Sequence, residues 1–353
     1  MGKSPLTTIE VLAPIWQRVL QRPSARADDN FFSLGGDPAL AVQLFSEISK
    51  VFARELPPLT IYQAPTLTAL TAVLEGTTIP PFPTLIPLRD GSGDSPVFIT
   101  HGLGGSVMEI FHVVKGLQSR HPIYGLQSKG FDGKAEPLTC VEDMAACYLE
   151  AIRELQPRGP YALIGYSFGG LVMMEVAQRL HQGGERVVLL AMVETYPHRN
   201  YMPLKIRLGL LAGLAKRHAS IARQLSMGKK LIYLTRPSER RLYASWNDNN
   251  QNVPSYRPES GLLFASGLES VRNAEALALA RYRPRSYPGK INFVKAAVDI
   301  SLFPLDAEGV WAKLAQAFEI DTTPGDHFEI VTTRHRELAA ILSRHLAAAF
   351  SGE

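Results

Sequence analysis

A serine between two glycines stands where a nucleophile would be placed. Gly165, Ser167 and Gly169 come directly after the apolar run 161–164 and before an apolar helical pattern. In a strand–turn–helix arrangement, glycines two positions either side of the serine let strand and helix pack closely, and the turn raises the hydroxyl above the sheet. The spacing predicts Ser167 as the nucleophile of an acyl transfer. The alternative interpretation is an ordinary glycine-rich turn.

This serine needs a base, because a hydroxyl is a weak nucleophile near neutral pH. His327 follows the turn residues 323–326 and precedes a C-terminal helical pattern. That is the position of the base in the α/β-hydrolase order of nucleophile, acid and histidine. His335 and His345 lie within helical sequence and are interpreted as surface or packing residues. We therefore predict His327 as the base.

Two carboxylates are candidates for orienting the imidazole. Glu194 ends the apolar strand pattern that follows the nucleophile helix, and Asp299 comes just after the next strand pattern. Either group, placed at the imidazole, would hold the productive tautomer and stabilise the imidazolium. The residues alone leave both open.

A glycine-rich loop follows the first strand of this region, at residues 101–105. Glycines there let the backbone approach a substrate, so the amide of Leu103 is predicted to pair with that of Phe168 as an oxyanion hole. Losing one such donor typically costs about 3–4 kcal/mol of transition-state stabilisation. His101 is expected to brace the loop rather than to act as a second base.

The elements that would position these residues alternate between strand and helix. Alternation of this kind predicts a mostly parallel sheet covered on both faces. Strand patterns occur at 96–100, 123–126, 161–165, 187–194 and 291–296, and helical patterns at 141–155, 171–182, 307–318 and 336–350. From about 197 to 284 the alternation stops, and a helical lid is predicted there.

The first 76 residues have a different pattern. Apolar residues recur there at helical spacing, and a proline-rich stretch beginning at Gly76 separates them from the alternating region. Three prolines within four positions favour an extended, semi-rigid backbone. We therefore predict a helical domain over 1–76, a linker over 77–94 and the larger domain over 95–353.

Composition narrows the function classes. The 353 residues carry a formal net charge of +4 and two cysteines, Cys140 and Cys147, and have no run long enough to span a bilayer. We therefore expect no nucleic acid, membrane or metal partner. Since the N-terminus lacks a signal pattern, we also expect a cytoplasmic setting. The basic segment 201–241 holds ten lysines and arginines against one acid, Glu239. It is interpreted as a solvated helical face or as a docking surface for an anionic partner.

With these residues in place, the larger region resembles type I thioesterase domains of nonribosomal peptide synthetases. The resemblance rests on residues 85–88, 101–105, 165–169, 282–284, 287–291 and 324–327. It implies an α/β-hydrolase fold, and it places the acid at the end of the strand after the nucleophile helix. That favours Glu194 over Asp299, although the family's usual residue there is aspartate.

The N-terminal region resembles a small four-helix peptidyl carrier domain, most clearly over residues 29–37. Such carriers attach 4′-phosphopantetheine to a serine at the start of the second helix, and this chain has none there. We assign the position of the family's attachment serine to Ala39. An ungapped alignment would place it at Pro38 instead. The resemblance implies that, in the native system, the substrate is delivered on a 4′-phosphopantetheine arm. The arm is joined to the carrier through a phosphate ester, which needs a hydroxyl. It is therefore not attachable at the usual position in this chain.

Together, the resemblances imply an enzyme that releases a peptidyl or acyl chain from a carrier-bound thioester, by hydrolysis or cyclisation. The implied partners are upstream synthetase modules and a loaded carrier domain. A phosphopantetheinyl transferase is a further implied partner of a parent chain that has the attachment serine. A free-standing esterase or lipase and a non-catalytic carrier-docking module are the alternative hypotheses.

Overall fold

The N-terminal region forms a small helical bundle. A computed structural model describes residues 6–76, 82–131, 133, 135–224, 263–299, 304 and 306–351. Within residues 6–76 it contains four helices, as predicted: α1 (Thr8–Leu20), α2 (Pro38–Phe52), α3 (Thr60–Gln63) and α4 (Leu67–Glu75). The apolar face of α1, which includes the fully buried Trp16, packs against that of α2.

The second helix begins where the carrier resemblance places an attachment residue. Asp37 caps it, because the Leu40 amide donates to the Asp37 carboxylate over 2.8 Å. Pro38 is the first helical residue, where a missing amide hydrogen is tolerated. Pro38 is buried and Ala39 is exposed.

Among the described residues of the larger region, seven strands form one sheet in the order β1-β3-β2-β4-β5-β6-β7. β1 is antiparallel to β3, and the other neighbours are parallel. The mostly parallel sheet confirms the predicted α/β class. The strands are β1 (Leu85–Arg89), β2 (Val97–Thr100), β3 (Ile123–Leu126), β4 (Tyr161–Tyr166), β5 (Val187–Val193), β6 (Tyr287–Ala296) and β7 (Ala315–Thr323).

Helices cover both faces of this sheet. α6 and α7 contribute to the apolar layer on one face, and α5 and α11 contribute to the layer on the other. No helix in the described parts of the chain is long and apolar enough to cross a membrane. The helices are α5 (Phe111–Gly116), α6 (Val141–Leu155), α7 (Phe168–Gln182), α8 (Leu204–Gln224), α9 (Leu263–Arg281), α10 (Ala307–Trp311) and α11 (His335–Ala349).

Two strands differ from the sequence prediction. β1 lies inside the stretch predicted as a linker over 77–94, so the sheet begins at Leu85; Ile86 of this strand is buried. β7 includes residues 315–318, which were predicted as the end of a helix. Both are outer strands with only one neighbour, and pairing to that neighbour overrides a weak local pattern.

The described parts of the segment predicted as a lid are mainly helical. α8 and α9 lie within it, while residues 225–262, including the part 225–241 of the basic segment, lie outside the described residues. The segment that connects α9 to β6 is held against α7 by hydrogen bonds. Tyr282 donates to the Glu175 carboxylate over 3.2 Å, and Arg285 donates to it over 2.9 and 3.0 Å.

An aromatic contact joins the helical bundle to the larger region. The Phe32 ring lies 4.8 Å from that of Tyr62 and 5.5 Å from that of Phe111, centroid to centroid. Phe111 opens α5, on the sheet side of the contact, and Phe32 lies just before α2. The start of α2 is thereby held near α5. Burial lowers the pKa of His112, the next residue of α5, and the Asp37 carboxylate partly opposes this shift.

We expect Phe111→Ala to loosen the attachment of the bundle to the sheet domain. The lost ring contact removes apolar burial worth about 1–3 kcal/mol. Nuclear magnetic relaxation would then give residues of α1–α4 a shorter rotational correlation time than residues of the sheet. Leu155→Ala, which removes an exposed leucine of α6, is the matched control. A single shared correlation time in Phe111→Ala would show that another contact holds the two parts together.

Candidate active site

Ser167 lies on a tight turn between β4 and α7. Its backbone has φ 52° and ψ −121°, an unfavourable conformation for a side-chain-bearing residue. The turn is held at both ends: the Ser167 amide donates to the Val193 carbonyl over 2.8 Å, and the Gly169 amide to the His101 carbonyl over 3.1 Å. A Cβ at Gly165 would overlap the backbone of α7, and one at Gly169 would overlap the His101 carbonyl. The two glycines therefore permit the turn that the sequence predicts.

His327 is held by the residue that precedes the predicted nucleophile. The Tyr166 hydroxyl donates to the His327 carbonyl over 2.7 Å, and the two rings lie 5.2 Å apart, centroid to centroid. Both residues are buried. His327 thus stands on the loop after β7, beside the end of β4.

Glu194 reaches the imidazole from the end of β5. Its Oε2 lies 3.4 Å from His327 Nδ1, and its Oε1 accepts a hydrogen bond from the Ala296 amide over 2.8 Å. The Glu194 amide in turn donates to Val294 over 2.9 Å. The carboxylate is therefore fixed between two strand ends and the histidine loop. It is 4 % exposed, whereas Asp299 is an exposed residue after β6.

The predicted oxyanion loop is held by two carboxylates from different elements. The Gly102 amide donates to Glu109 over 2.9 Å, and the Gly104 amide donates to Glu275 over 2.7 Å. Gly104, with φ 138°, is in a conformation that favours glycine. Between them, the Leu103 amide has no acceptor among the described residues. Leu103 thus keeps a backbone donor for a ligand.

Phe168, the other predicted donor, is the first residue of α7. Amides in the first turn of a helix have no intrahelical acceptor. Those of Gly169 and Gly170 donate to the His101 and Ser167 carbonyls. The Phe168 amide lies at a helix N-terminus, where developing negative charge is favoured.

A buried polar network lies under this loop. His101 Nδ1 is 2.7 Å from the Gly102 carbonyl, and its Nε2 is 2.7 Å from the Tyr148 hydroxyl. Burial lowers the pKa of His101 to about 4, so the imidazole is neutral near neutral pH. An Nδ1–H donor and an Nε2 acceptor satisfy both contacts. This geometry suits the bracing role expected for His101.

Two acids of the network have altered acidity. Loss of hydration raises the pKa of Glu109 to about 7 and that of Glu275 to about 8. Both carboxyls are held chiefly as backbone acceptors rather than as partners in short ion pairs.

The contacts of Tyr166, Glu109 and Glu275 were not predicted from the sequence. A signal for Glu275 was present, because it lies four residues after Val271 and three before Ala278, on an otherwise apolar helix face. An acid inside such a stripe must find a buried partner. Nothing in the local pattern around Tyr166 indicates its bond to His327, because the two residues are 161 positions apart.

Family models match both regions. One described as thioesterase domain covers residues 95–346, and one described as phosphopantetheine attachment site covers residues 10–74.

The curated relatives are longer proteins. A dimodular nonribosomal peptide synthase of Bacillus subtilis (strain 168) is 38 % identical over 206 residues, which are 58 % of this chain and 9 % of that protein. Indigoidine synthase of Dickeya dadantii (strain 3937) is 37 % identical over 173 residues, 49 % of this chain and 12 % of the synthase. The chain thus spans about a tenth of the length of these relatives.

Solved structures share the fold. A four-domain nonribosomal peptide synthetase, bound to AMP and glycine, matches with a TM-score of 0.57 at 23 % identity, over 99 % of this chain and 26 % of that one. The NocB thioesterase domain, in covalent complex with a fluorophosphonate nocardicin G analog, matches with a TM-score of 0.51 at 21 % identity, over 72 % of this chain and 96 % of that one.

We expect Glu194→Ala to lower kcat on a soluble thioester by about 10²–10⁴-fold, because the imidazole loses the group that orients it. Glu194→Gln is the matched variant: its amide oxygen keeps the Ala296 contact, while its NH₂ faces Nδ1 and disfavours the productive tautomer. We expect the kcat of Asp299→Ala to stay close to that of the unaltered chain. Intact turnover in Glu194→Ala together with lost turnover in Asp299→Ala would make Asp299 the acid.

Proposed function

Because this chain belongs to the thioesterase domain family, we propose that it releases a peptidyl or acyl chain from a carrier-bound phosphopantetheine thioester. The observation that carries the proposal is the buried Glu194–His327 pair, held beside a serine in a strained strand-to-helix turn. The neighbouring carrier-type domain and the nonribosomal peptide synthetases among the relatives support the substrate class.

In the acylation step, Ser167 Oγ attacks the thioester carbonyl while His327 removes its proton. The carbonyl π pair moves onto oxygen, and the amides of Leu103 and Phe168 stabilise the resulting oxyanion. Glu194 stabilises the imidazolium that forms. The intermediate then collapses, the carbon–sulfur bond breaks, and His327 returns the proton to the departing pantetheine thiol.

In the second step, the acyl-enzyme passes its chain to an oxygen or nitrogen nucleophile. His327 deprotonates water to release an acid, or a hydroxyl or amine of the chain to release a ring, and then reprotonates Ser167. Exclusion of water by the lid segment would favour the ring.

The N-terminal bundle supplies the carrier part of the proposal. A carrier in an assembly line receives its chain from upstream synthetase modules after a phosphopantetheinyl transferase has attached the arm. In this chain the start of α2 offers proline and alanine, so we propose that the bundle docks but does not carry. The exposure of Ala39 and the burial of Pro38 support position 39 as the one that lacks its hydroxyl.

The enzyme is tested by mass spectrometry of the acyl-enzyme and released product on a defined thioester. We expect one acyl group on Ser167, fluorophosphonate labelling of the same residue, and loss of both in Ser167→Ala. Preference for a simple ester over a carrier-delivered thioester would favour a free-standing esterase. Failure of Ser167 to label would favour a non-catalytic docking module.

The carrier proposal is tested by intact mass after incubation with coenzyme A and a phosphopantetheinyl transferase. We expect no gain in mass in the unaltered chain and a gain of one arm in Ala39→Ser, because only the latter offers an exposed hydroxyl at α2. Pro38→Ser is the matched variant. Loading of Pro38→Ser alone would move the attachment position to 38, and loading of the unaltered chain at α2 would overturn the proposal.

A further inference from the structure

Glu275 of α9 is fully buried, yet the reaction steps above do not use it. Its Oε2 accepts the hydrogen bond from Gly104 over 2.7 Å, and its Oε1 accepts one from the Ser128 hydroxyl over 2.6 Å. Gly104 is 171 positions away in the chain, in the loop predicted to hold the oxyanion. The Glu275 side chain therefore links a helix of the predicted lid to that loop.

We propose that Glu275 is a positioning residue that orients the oxyanion loop from the lid segment, so that docking of α9 helps to set the Leu103 donor. The inference rests on the proposed acyl transfer, whose oxyanion it serves. Glu275 does not touch the reacting atoms; it acts through the backbone of Gly104.

The amides on either side of Leu103 explain how this works. Glu109 holds Gly102, and Glu275 holds Gly104, while the amide between them has no acceptor among the described residues. His101 Nδ1 also lies 2.7 Å from the Gly102 carbonyl, which belongs to the same peptide as the Leu103 N–H. Together with the two flanking contacts, this leaves the Leu103 N–H little freedom to rotate. An oxyanion donor needs this kind of preorganisation, since reorienting it during the reaction would add to the barrier.

The two hydrogen bonds that fix Gly102 and Gly104 come from different parts of the chain. Glu109 lies only seven positions after Gly102, so it belongs to the loop's own surroundings. Glu275 comes from α9, and a displacement of that helix would remove its carboxyl from Gly104. The lid segment and the oxyanion donor are thereby coupled through one hydrogen bond.

Packing alone does not account for an acid at this position. Val271, Ala274 and Ala278 on the same helix are buried and apolar. A buried carboxyl is unfavourable beside them unless its hydrogen bonds compensate. Burial raises the pKa of Glu275 to about 8. A neutral glutamine amide can keep both contacts: its oxygen accepts from Gly104, and its NH₂ donates to the Ser128 oxygen, which then accepts where it donates to Glu275.

The experiment compares Glu275→Ala, Glu275→Gln and Glu269→Ala in the full chain. Glu269 is an exposed acid on the same helix and serves as the matched control. The first measurement is amide hydrogen exchange of residues 101–105, followed by mass spectrometry, which does not depend on turnover. The second is kcat and KM on a soluble thioester, with thermal unfolding recorded for each variant.

We expect Glu275→Ala to speed exchange in 101–105 and to lower kcat about 10–100-fold with little change in KM, because a donor is misplaced rather than removed. Glu275→Gln should restore slow exchange and most of kcat, and Glu269→Ala should match the unaltered chain. A merely structural role would instead lower activity in proportion to folded protein, and glutamine would not restore it selectively.

The inference is overturned if Glu275→Ala exchanges at the unaltered rate in 101–105, or if it remains folded and keeps its kcat. Should the unaltered chain show no turnover while Glu275→Ala still speeds exchange in this loop, the positioning contact stands and the proposed acyl transfer fails. The two failures are thus distinguishable.

Discussion

The candidate site depends on one constraint: the turn at Ser167 must fit between the ends of the strands on either side of β4. Its amide is tied to Val193 at the end of β5, and the amide of Gly169 is tied to His101 after β2. The helix must therefore leave the sheet at once, which requires positive φ at Ser167 and no side chain at the neighbouring glycines. These tethers also bring the ends of β2 and β5 to the serine, so Glu194 and the glycine-rich loop arrive there as consequences of the turn.

Buried carboxylates take two different parts in this arrangement. Glu194 accepts a backbone hydrogen bond and turns its second oxygen toward His327, so it orients the imidazole. Glu109 and Glu275 accept backbone hydrogen bonds from the loop itself, so they orient a peptide group. The first arrangement favours a charge that forms on imidazole, and the second limits the motion of a neutral donor. In the proposed acyl transfer, these two arrangements would combine electrostatic stabilisation with backbone preorganisation.

Local patterns predicted the parts of the fold that local forces shape. The helix-capping Asp37, the amphipathic face of α1 and the strand–glycine–serine–glycine sequence all lie within a few residues of the features they determine. β1 and the first part of β7 were not predicted as strands. Each lies at an edge of the sheet, where a strand has one pairing partner and is partly exposed, so its hydrophobic pattern is weak. The contacts of Glu275 were not predicted because a helical period does not reveal which distant backbone amide an acid meets.

Three features of the site and the carrier-like bundle could be read from the residues: a serine in a turn that glycines permit, a histidine after turn residues, and a second helix that starts without a hydroxyl. These follow from residue chemistry and short-range sterics. Only the tertiary structure decided which acid stands beside the histidine, because the order of strands brings Glu194 to a residue 133 positions away. Only the tertiary structure likewise joined α9 to the oxyanion loop. A contact between distant elements depends on how the strands and helices pack, and no residue spacing records that packing.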